Sequence, residues 1–147
     1  MKNQKENKRE MTTKIKIGIV GSRAYTDRKK IKDLIFEIKT KYGNEVEIVS
    51  GGQKEGADGY AKKYALEFDL DYVEFPPVHY THNIHCKLSA KHFNKPYYVS
   101  NYFKRNKQIA EYSNILIAFI QDGVESKGTM NTVGYAKKLK KMVKIIN

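Results

Sequence analysis

Short apolar runs alternate with amphipathic stretches over most of this chain, and their periods predict the elements in turn. Residues 15–20 form a β-branched run that stops at Gly21-Ser22-Arg23, the pattern of a central first strand feeding a tight loop. A helix is expected over 27–42, with Asp27 capping its open N–H groups and Ile31, Leu34, Ile35 and Ile38 as the buried stripe. Residues 46–49 read as a second strand, ended by Ser50-Gly51-Gly52. The next helix, 57–68, places Ala57, Ala61, Tyr64, Ala65 and Phe68 on one face, with small residues where a helix approaches a sheet closely. A third strand at 72–75 is closed by Pro76-Pro77.

Periodicity fades between 78 and 98. Ile84, Leu88 and Lys91-His92 suggest a short helix there, and 95–99 reads as either an extended segment or loop. A helix over 102–112 follows, carrying Tyr102, Asn106, Ile109 and Ala110 in register. The run at 115–120 is the most hydrophobic in the chain and is expected at the sheet centre. A helix from 128 to 140 with Val133, Ala136 and Leu139 inward, then a strand at 142–146, completes the pattern.

Strands alternating with helices of this length imply right-handed crossovers. The fold class expected is α/β, a Rossmann-like three-layer αβα sandwich with a mainly parallel sheet, formed by residues 14–147 as a single domain. Residues 1–13 are basic and polar and read as a disordered arm without the apolar stretch of a secretory signal. The longest apolar runs are far short of the roughly 20 residues that span a bilayer, so no membrane partner is expected. The single cysteine, Cys86, cannot close an intrachain disulfide, which fits a cytoplasmic setting.

A formal charge of +12 invites a nucleic-acid reading. Arginines, however, stand only at 9, 23, 28 and 105, and the remaining basic residues are lysines spread over the outer faces of predicted helices. A solvated basic surface is therefore preferred, and nucleic acid is the less favoured partner. The arginines change the picture more, because a planar guanidinium recognises phosphate with a fork that lysine lacks.

In α/β sheets ligands bind beyond the carboxyl ends of the strands, and the glycine-bearing motifs of this chain all follow predicted strands. Gly21-Ser22-Arg23 combines a close backbone approach, a hydroxyl and a guanidinium. In Ser50-Gly51-Gly52-Gln53-Lys54-Glu55-Gly56-Ala57-Asp58 a glycine pair and a helix-opening glycine make a loop whose N–H groups can converge on an anion. Its spacing is neither the dinucleotide fingerprint nor a P-loop. Asp58 has three readings there, as a helix cap or loop brace, a ribose contact, or a catalytic carboxylate. Asp122-Gly123 and Ser126-x-Gly128-Thr129 repeat the vocabulary after the strongest strand, again suited to phosphate. Arg105-Asn106 adds a fourth motif; Asn106 falls on an apolar helix face, where an amide needs a partner.

His79, His82, His85, Cys86 and His92 lie close in sequence, but the paired C-x₂-C halves of structural zinc modules are missing, so a loop cluster is preferred and no metal is expected. Tyr80, Tyr97, Tyr98 and Tyr102 flank that segment, and a ring among them could stack on a base. No Ser-His-Asp arrangement or G-x-S-x-G elbow is recognisable.

Taken in order, Gly21-Ser22-Arg23, Ser50-Gly51-Gly52 with Gly56-Ala57-Asp58 and Ala61, Arg105-Asn106, and Asp122-Gly123 with Ser126-x-Gly128-Thr129 resemble the SLOG superfamily of DprA/LOG-like proteins. The similarity spans about residue 14 to the end and is nearest in look to the small stand-alone bacterial and phage branch related to YspA/YpsA-type proteins. The resemblance implies a nucleotide-related ligand. By it, Gly51 and Gly52 would lie under a phosphate, Asp58 would be the acidic residue opening the second helix, and Gly128-Thr129 would face phosphate. The LOG pattern P-G-G-x-G-T-x-x-E is not intact, since Asp122-Gly123 replaces its start and Thr132 stands where its glutamate would fall. The tryptophan that the stand-alone branch often carries is missing too.

The leading expectation is a binder of a phosphate-bearing nucleotide or nucleotide derivative, acting as sensor, sequestering protein or N-glycoside hydrolase. The alternatives are a single-stranded nucleic-acid module resembling DprA and a non-catalytic interaction protein. The expected partners are that small molecule and, since relatives often pair, a second copy of the chain as a homodimer; no resident cofactor is expected.

Overall fold

The computed structural model describes residues 14–147, so the expected N-terminal arm lies outside the described residues. Five strands, β1 (Ile15–Gly21), β2 (Val46–Ser50), β3 (Asp71–Glu74), β4 (Ile115–Phe119) and β5 (Met142–Ile146), form one sheet in the order β3-β2-β1-β4-β5. Every pairing is parallel. Helices α1 (Arg28–Tyr42), α2 (Gly56–Glu67), α3 (Ser100–Tyr112) and α4 (Lys127–Lys138) connect them. This is the three-layer Rossmann-like sandwich that the alternation of periods predicts.

The strands show why both faces are covered. Ile17 and Ile19 of β1, Val46 and Ile48 of β2, and Ile117 and Phe119 of β4 point to one side, where they pack with Ile31, Ile35 and Ile38 of α1 and Ala57, Ala61 and Ala65 of α2. The intervening Val20, Val49, Leu116 and Ala118 point to the other side, against Ile109 and Ala110 of α3 and Val133 and Ala136 of α4. A period of two along each strand thus divides one apolar run between two cores. Asp27 caps α1 as expected, its carboxylate accepting from the Lys30 N–H at 3.3 Å.

Three details differ from the sequence reading. The most hydrophobic strand, β4, lies beside the centre; β1 occupies the centre because the chain winds outward to β3 and then returns past its start. Leu139 is 46% exposed, since α4 ends at Lys138 and the next residue turns away from its buried stripe. Between β3 and α3 the only helix is the 3₁₀ turn Ala90–His92, and Ile84 is exposed. Instead, this segment makes a single parallel bridge to the end of β3 at Cys86: the Glu74 N–H donates to the His85 carbonyl at 2.9 Å and the Lys87 N–H to the Glu74 carbonyl at 3.0 Å. That pairing covers part of a sheet edge that would otherwise be open. Among the described residues no helix is long and apolar enough to cross a membrane.

Candidate functional site

The order in which strands are added switches sides between β1 and β4, and such a switch point leaves a crevice beyond the strand ends. A cavity of 370 Å³ occupies it. Val20 to Arg23 form one wall and Gly51, Gln53 and Asp58 another. Tyr102, Arg105, Asn106 and Ile109 of α3 close the third side, and Glu125, Gly128, Thr129 and Thr132 the fourth. Nine of the residues singled out from sequence thus share one wall system: Gly21, Ser22, Arg23, Gly51, Asp58, Arg105, Asn106, Gly128 and Thr129.

Arg105 dominates the site. It is only 8% exposed, and its guanidinium is fixed twice: Nε donates to Asn106 Oδ1 at 3.1 Å and Nη1 to the Gly51 carbonyl at 2.5 Å. Asn106 is held in turn, its amide donating to Asn131 Oδ1 at 3.0 Å and the Gly128 carbonyl at 3.4 Å. The amide on the apolar helix face therefore has its partners, and it ties α3 to the start of α4. Burial pulls the Arg105 pKa below the ordinary arginine value, countered by Asp58 and by Tyr80 and Tyr102, while the neighbouring positive charge of Arg23 lowers it further. Both guanidinium groups stand over the Tyr102 ring, Arg23 at 5.7 Å and Arg105 at 5.8 Å from its centroid. Two like charges held this close at a cavity favour an anion between them.

Asp58 lies across Gly51 from Arg105. Its carboxylate accepts the Gln53 N–H at 3.2 Å and also bonds the Gly51 N–H. Burial raises its pKa; Arg105 and these two amides pull in the opposite direction. The Gly52 N–H goes to Ser50 Oγ at 3.4 Å. The amides of the glycine pair, expected on a phosphate, are therefore directed inward to the protein itself, because a buried carboxylate and a hydroxyl reach them first. Gly56 is likewise a joint: at φ +67° it lets Ala57 donate its N–H to the Ser22 carbonyl at 3.2 Å. At α4, by contrast, the first intrahelical bond is Met130 N–H to the Ser126 carbonyl at 2.8 Å, so the N–H groups of the preceding turn have no such partner where Gly128 and Thr129 meet the cavity.

The other expected residues stand outside this wall. Ser50 is buried and its Oγ lies 2.6 Å from the Tyr72 hydroxyl. Gly52 borders a separate depression with Lys62 and Glu74. Asp122 lies on the α1 side of the sheet in a depression with Tyr25 and Asp27, and Gly123 sits in the turn that follows β4. Ser126 is the N-cap position of α4, without a side-chain capping bond. His79 is packed edge-on against Tyr80, Tyr97 and Tyr102, which makes it a hub of the aromatic cluster beside the site.

The sequence reading named Thr132 only as a departure from the LOG pattern, and it missed Glu74 altogether. Thr132 lines the cavity three residues beyond Thr129, at the position where the LOG glutamate would stand. Beneath the glycine pair, Glu74 is 1% exposed and accepts from the Tyr72 hydroxyl at 2.9 Å and the Asn83 amide at 2.7 Å, with Lys62 Nζ 3.2 Å away. The available signal was register: Ser50 pairs with Glu74, and Tyr72 precedes Glu74 by two residues on the same face.

Comparison with curated proteins by sequence gave no match. Among solved structures, the molybdenum cofactor binding protein from the phototrophic bacterium Rippkaea orientalis is similar at a TM-score of 0.68 and 21% identity, covering 91% of this chain and 77% of that one. The molybdenum cofactor carrier protein from Chlamydomonas reinhardtii is similar at a TM-score of 0.65 and 24% identity, over 90% of this chain and 76% of its own. At these identities the likeness is one of fold. Residues 15–82, which carry the first two loops of the cavity and β3 with Glu74, match the model of the YAcAr family, described as the YspA, cpYpsA-related SLOG family.

Proposed function

We propose that this protein binds and sequesters a phosphate-bearing nucleotide or nucleotide-derived cofactor in the cavity beyond β1, β2 and β4, as a SLOG-type carrier or sensor. The observation that carries the reading is Arg105: a guanidinium kept out of water, locked by Asn106 and the Gly51 carbonyl, and facing a cavity that Arg23 and the start of α4 also line. Asp58 offsets part of this buried charge, and an anionic ligand against Arg105 and Arg23 would compensate it further. The partial match to the SLOG family and the shared fold with molybdenum cofactor binding and carrier proteins support the same class of ligand.

The residues fit the anionic part of such a ligand. Arg23 and Arg105 would grip it with charge-assisted bonds, Thr129 would add a hydroxyl, and Tyr102 would offer a ring face. No cysteine or histidine is among the residues lining this wall, so a metal-bearing cargo would be held by its organic and anionic groups. Asp58 acts as a brace on the glycine loop in this reading, its carboxylate accepting the Gln53 N–H, and holding rather than hydrolysis is favoured because Thr132 stands where the LOG glutamate would fall, which leaves Glu125 as the other carboxylate on the wall.

Isothermal titration with AMP and GMP, together with native mass spectrometry of protein purified from cells, tests the reading. Micromolar binding that weakens by about 2 kcal/mol or more in Arg23→Ala and in Arg105→Ala is expected, from the loss of desolvated charged hydrogen bonds. Absence of any bound nucleotide or cofactor, or affinity unaltered in both folded variants, would refute it.

A further inference from the structure

Arg23 and Gln53 each face two cavities. Beyond the one already described, a second of 320 Å³ is lined by Arg23, Gln53, Lys54, Glu55 and Tyr80. Its chemistry is weighted toward hydrogen-bond donors: a guanidinium, an ammonium and an amide, against the single carboxylate of Glu55. Gln53 shows the imbalance most directly. Its Oε1 accepts from the Tyr80 hydroxyl at 2.9 Å, while its Nε2 is buried without a hydrogen-bond partner. A buried amide donor lacking an acceptor is a defect in the isolated protein and an asset where a ligand oxygen completes it. Because Arg23 lines both cavities, its planar fork can serve groups in either one.

From this geometry we infer that the ligand carries a second anionic group, placed across Arg23 from the first and held by Arg23, Lys54 and the Gln53 amide. The inference rests on the proposed function of the first cavity and narrows its ligand from any mononucleotide to one bearing two anionic groups. Two sources have this chemistry, a diphosphate chain and a bisphosphate whose groups are separated by the sugar.

Calorimetric titrations with AMP, ADP and adenosine 3′,5′-bisphosphate separate them, run on the wild-type protein, Lys54→Met and Gln53→Leu with folding checked by circular dichroism. One of the two doubly anionic ligands should bind about tenfold more tightly than AMP, the increment of one charge-assisted contact. Lys54→Met should remove that gain while leaving AMP affinity within twofold, and whichever ligand shows the gain identifies the source. AMP binding with no gain from either ligand overturns this inference alone. So does a gain that survives both substitutions. Failure of all three nucleotides to bind overturns it together with the reading of the first cavity. Tighter binding of a ten-residue thymidine oligonucleotide than of any nucleotide overturns it in favour of a nucleic-acid groove.

Discussion

Gly51 separates the two charged groups that define the site, which makes a single methyl group an informative perturbation. A Cβ at this position would lie 2.3 Å from Arg105 Nη1, 2.7 Å from Asp58 Oδ2 and 3.0 Å from Arg105 Cζ. Carbon and nitrogen approach no nearer than about 3.5 Å without repulsion, so the guanidinium must retreat by roughly 1 Å. The obstructing atoms are the end of a flexible side chain and a carboxylate, and the residue has no positive φ to strain. Gly51→Ala should therefore leave the fold standing and lose the Arg105 bond to the Gly51 carbonyl. A hydrogen bond to a charged group contributes about 1.5–3 kcal/mol, and relaxation of the side chain recovers part, so a stability loss of about 1–2 kcal/mol is expected in urea denaturation. The displaced guanidinium no longer meets the anion, and loss of about 2 kcal/mol of binding weakens AMP roughly thirtyfold in calorimetry.

Gly56 supplies the matched control. At φ +67°, a Cβ there would sit 2.1 Å from the Ser22 carbonyl oxygen and 2.5 Å from Arg23 Cα, which are backbone atoms that cannot swing aside. Gly56→Ala should cost more than about 4 kcal/mol, combining left-handed strain with a clash between two loops. The reasoning fails if Gly51→Ala binds AMP within twofold of wild type, or if it destabilises the protein as severely as Gly56→Ala.

Further predictions follow from burial and charge. The native pKa of Asp58 is raised above its unfolded value, so the folded state binds more protons between the two; stability should fall as pH rises from about 4 through the raised value. Urea titrations across that range, compared with Asp58→Asn, check the sign, and sulfate binding should strengthen as pH falls through the same window. Glu74→Ala should cost about 2 kcal/mol and weaken AMP as well, since the Tyr72 hydroxyl that bonds Ser50 would lose its carboxylate partner; unchanged stability by thermal denaturation would contradict this. Ile35→Ala, at a fully buried position under α1, should cost about 2–5 kcal/mol in denaturant unfolding with AMP affinity retained by the surviving folded fraction.

How far the sequence reached depended on whether a residue's partners lay near it in the chain. Strand and helix limits were readable to within a residue or two because periodicity is local, as at β2 and α1. The convergence of Arg23, Gly51 and Thr129 was readable because parallel topology places the loops after β1, β2 and β4 at one end. Asp122 went the other way: the turn after β4 is long enough for its first residues to lie on the α1 side and its last on the α3 side. Local signal does not reveal that division. Nor did it reveal the burial of Arg105 or Glu74, which depends on hydrogen bonds to Gly51, Asn83 and Tyr72 that only tertiary structure brings within reach.

The same tertiary bonds decide how an anion would be held. A glycine loop before a helix can grip phosphate through its backbone, provided its N–H groups are free. Here Asp58 and Ser50 take the amides of Gly51, Gly52 and Gln53, and the Ser22 carbonyl takes that of Ala57. These bonds make the first two loops into a rigid corner rather than an anion nest. The role left to that corner is to present a carbonyl, that of Gly51, which orients the Arg105 fork. Positive charge in the cavity then comes from side chains and from the start of α4. The glycines shape the site by letting Asp58 and Arg105 approach on either side of one Cα, so the motif can act on the cavity through the side chain of Arg105 as well as through its own backbone.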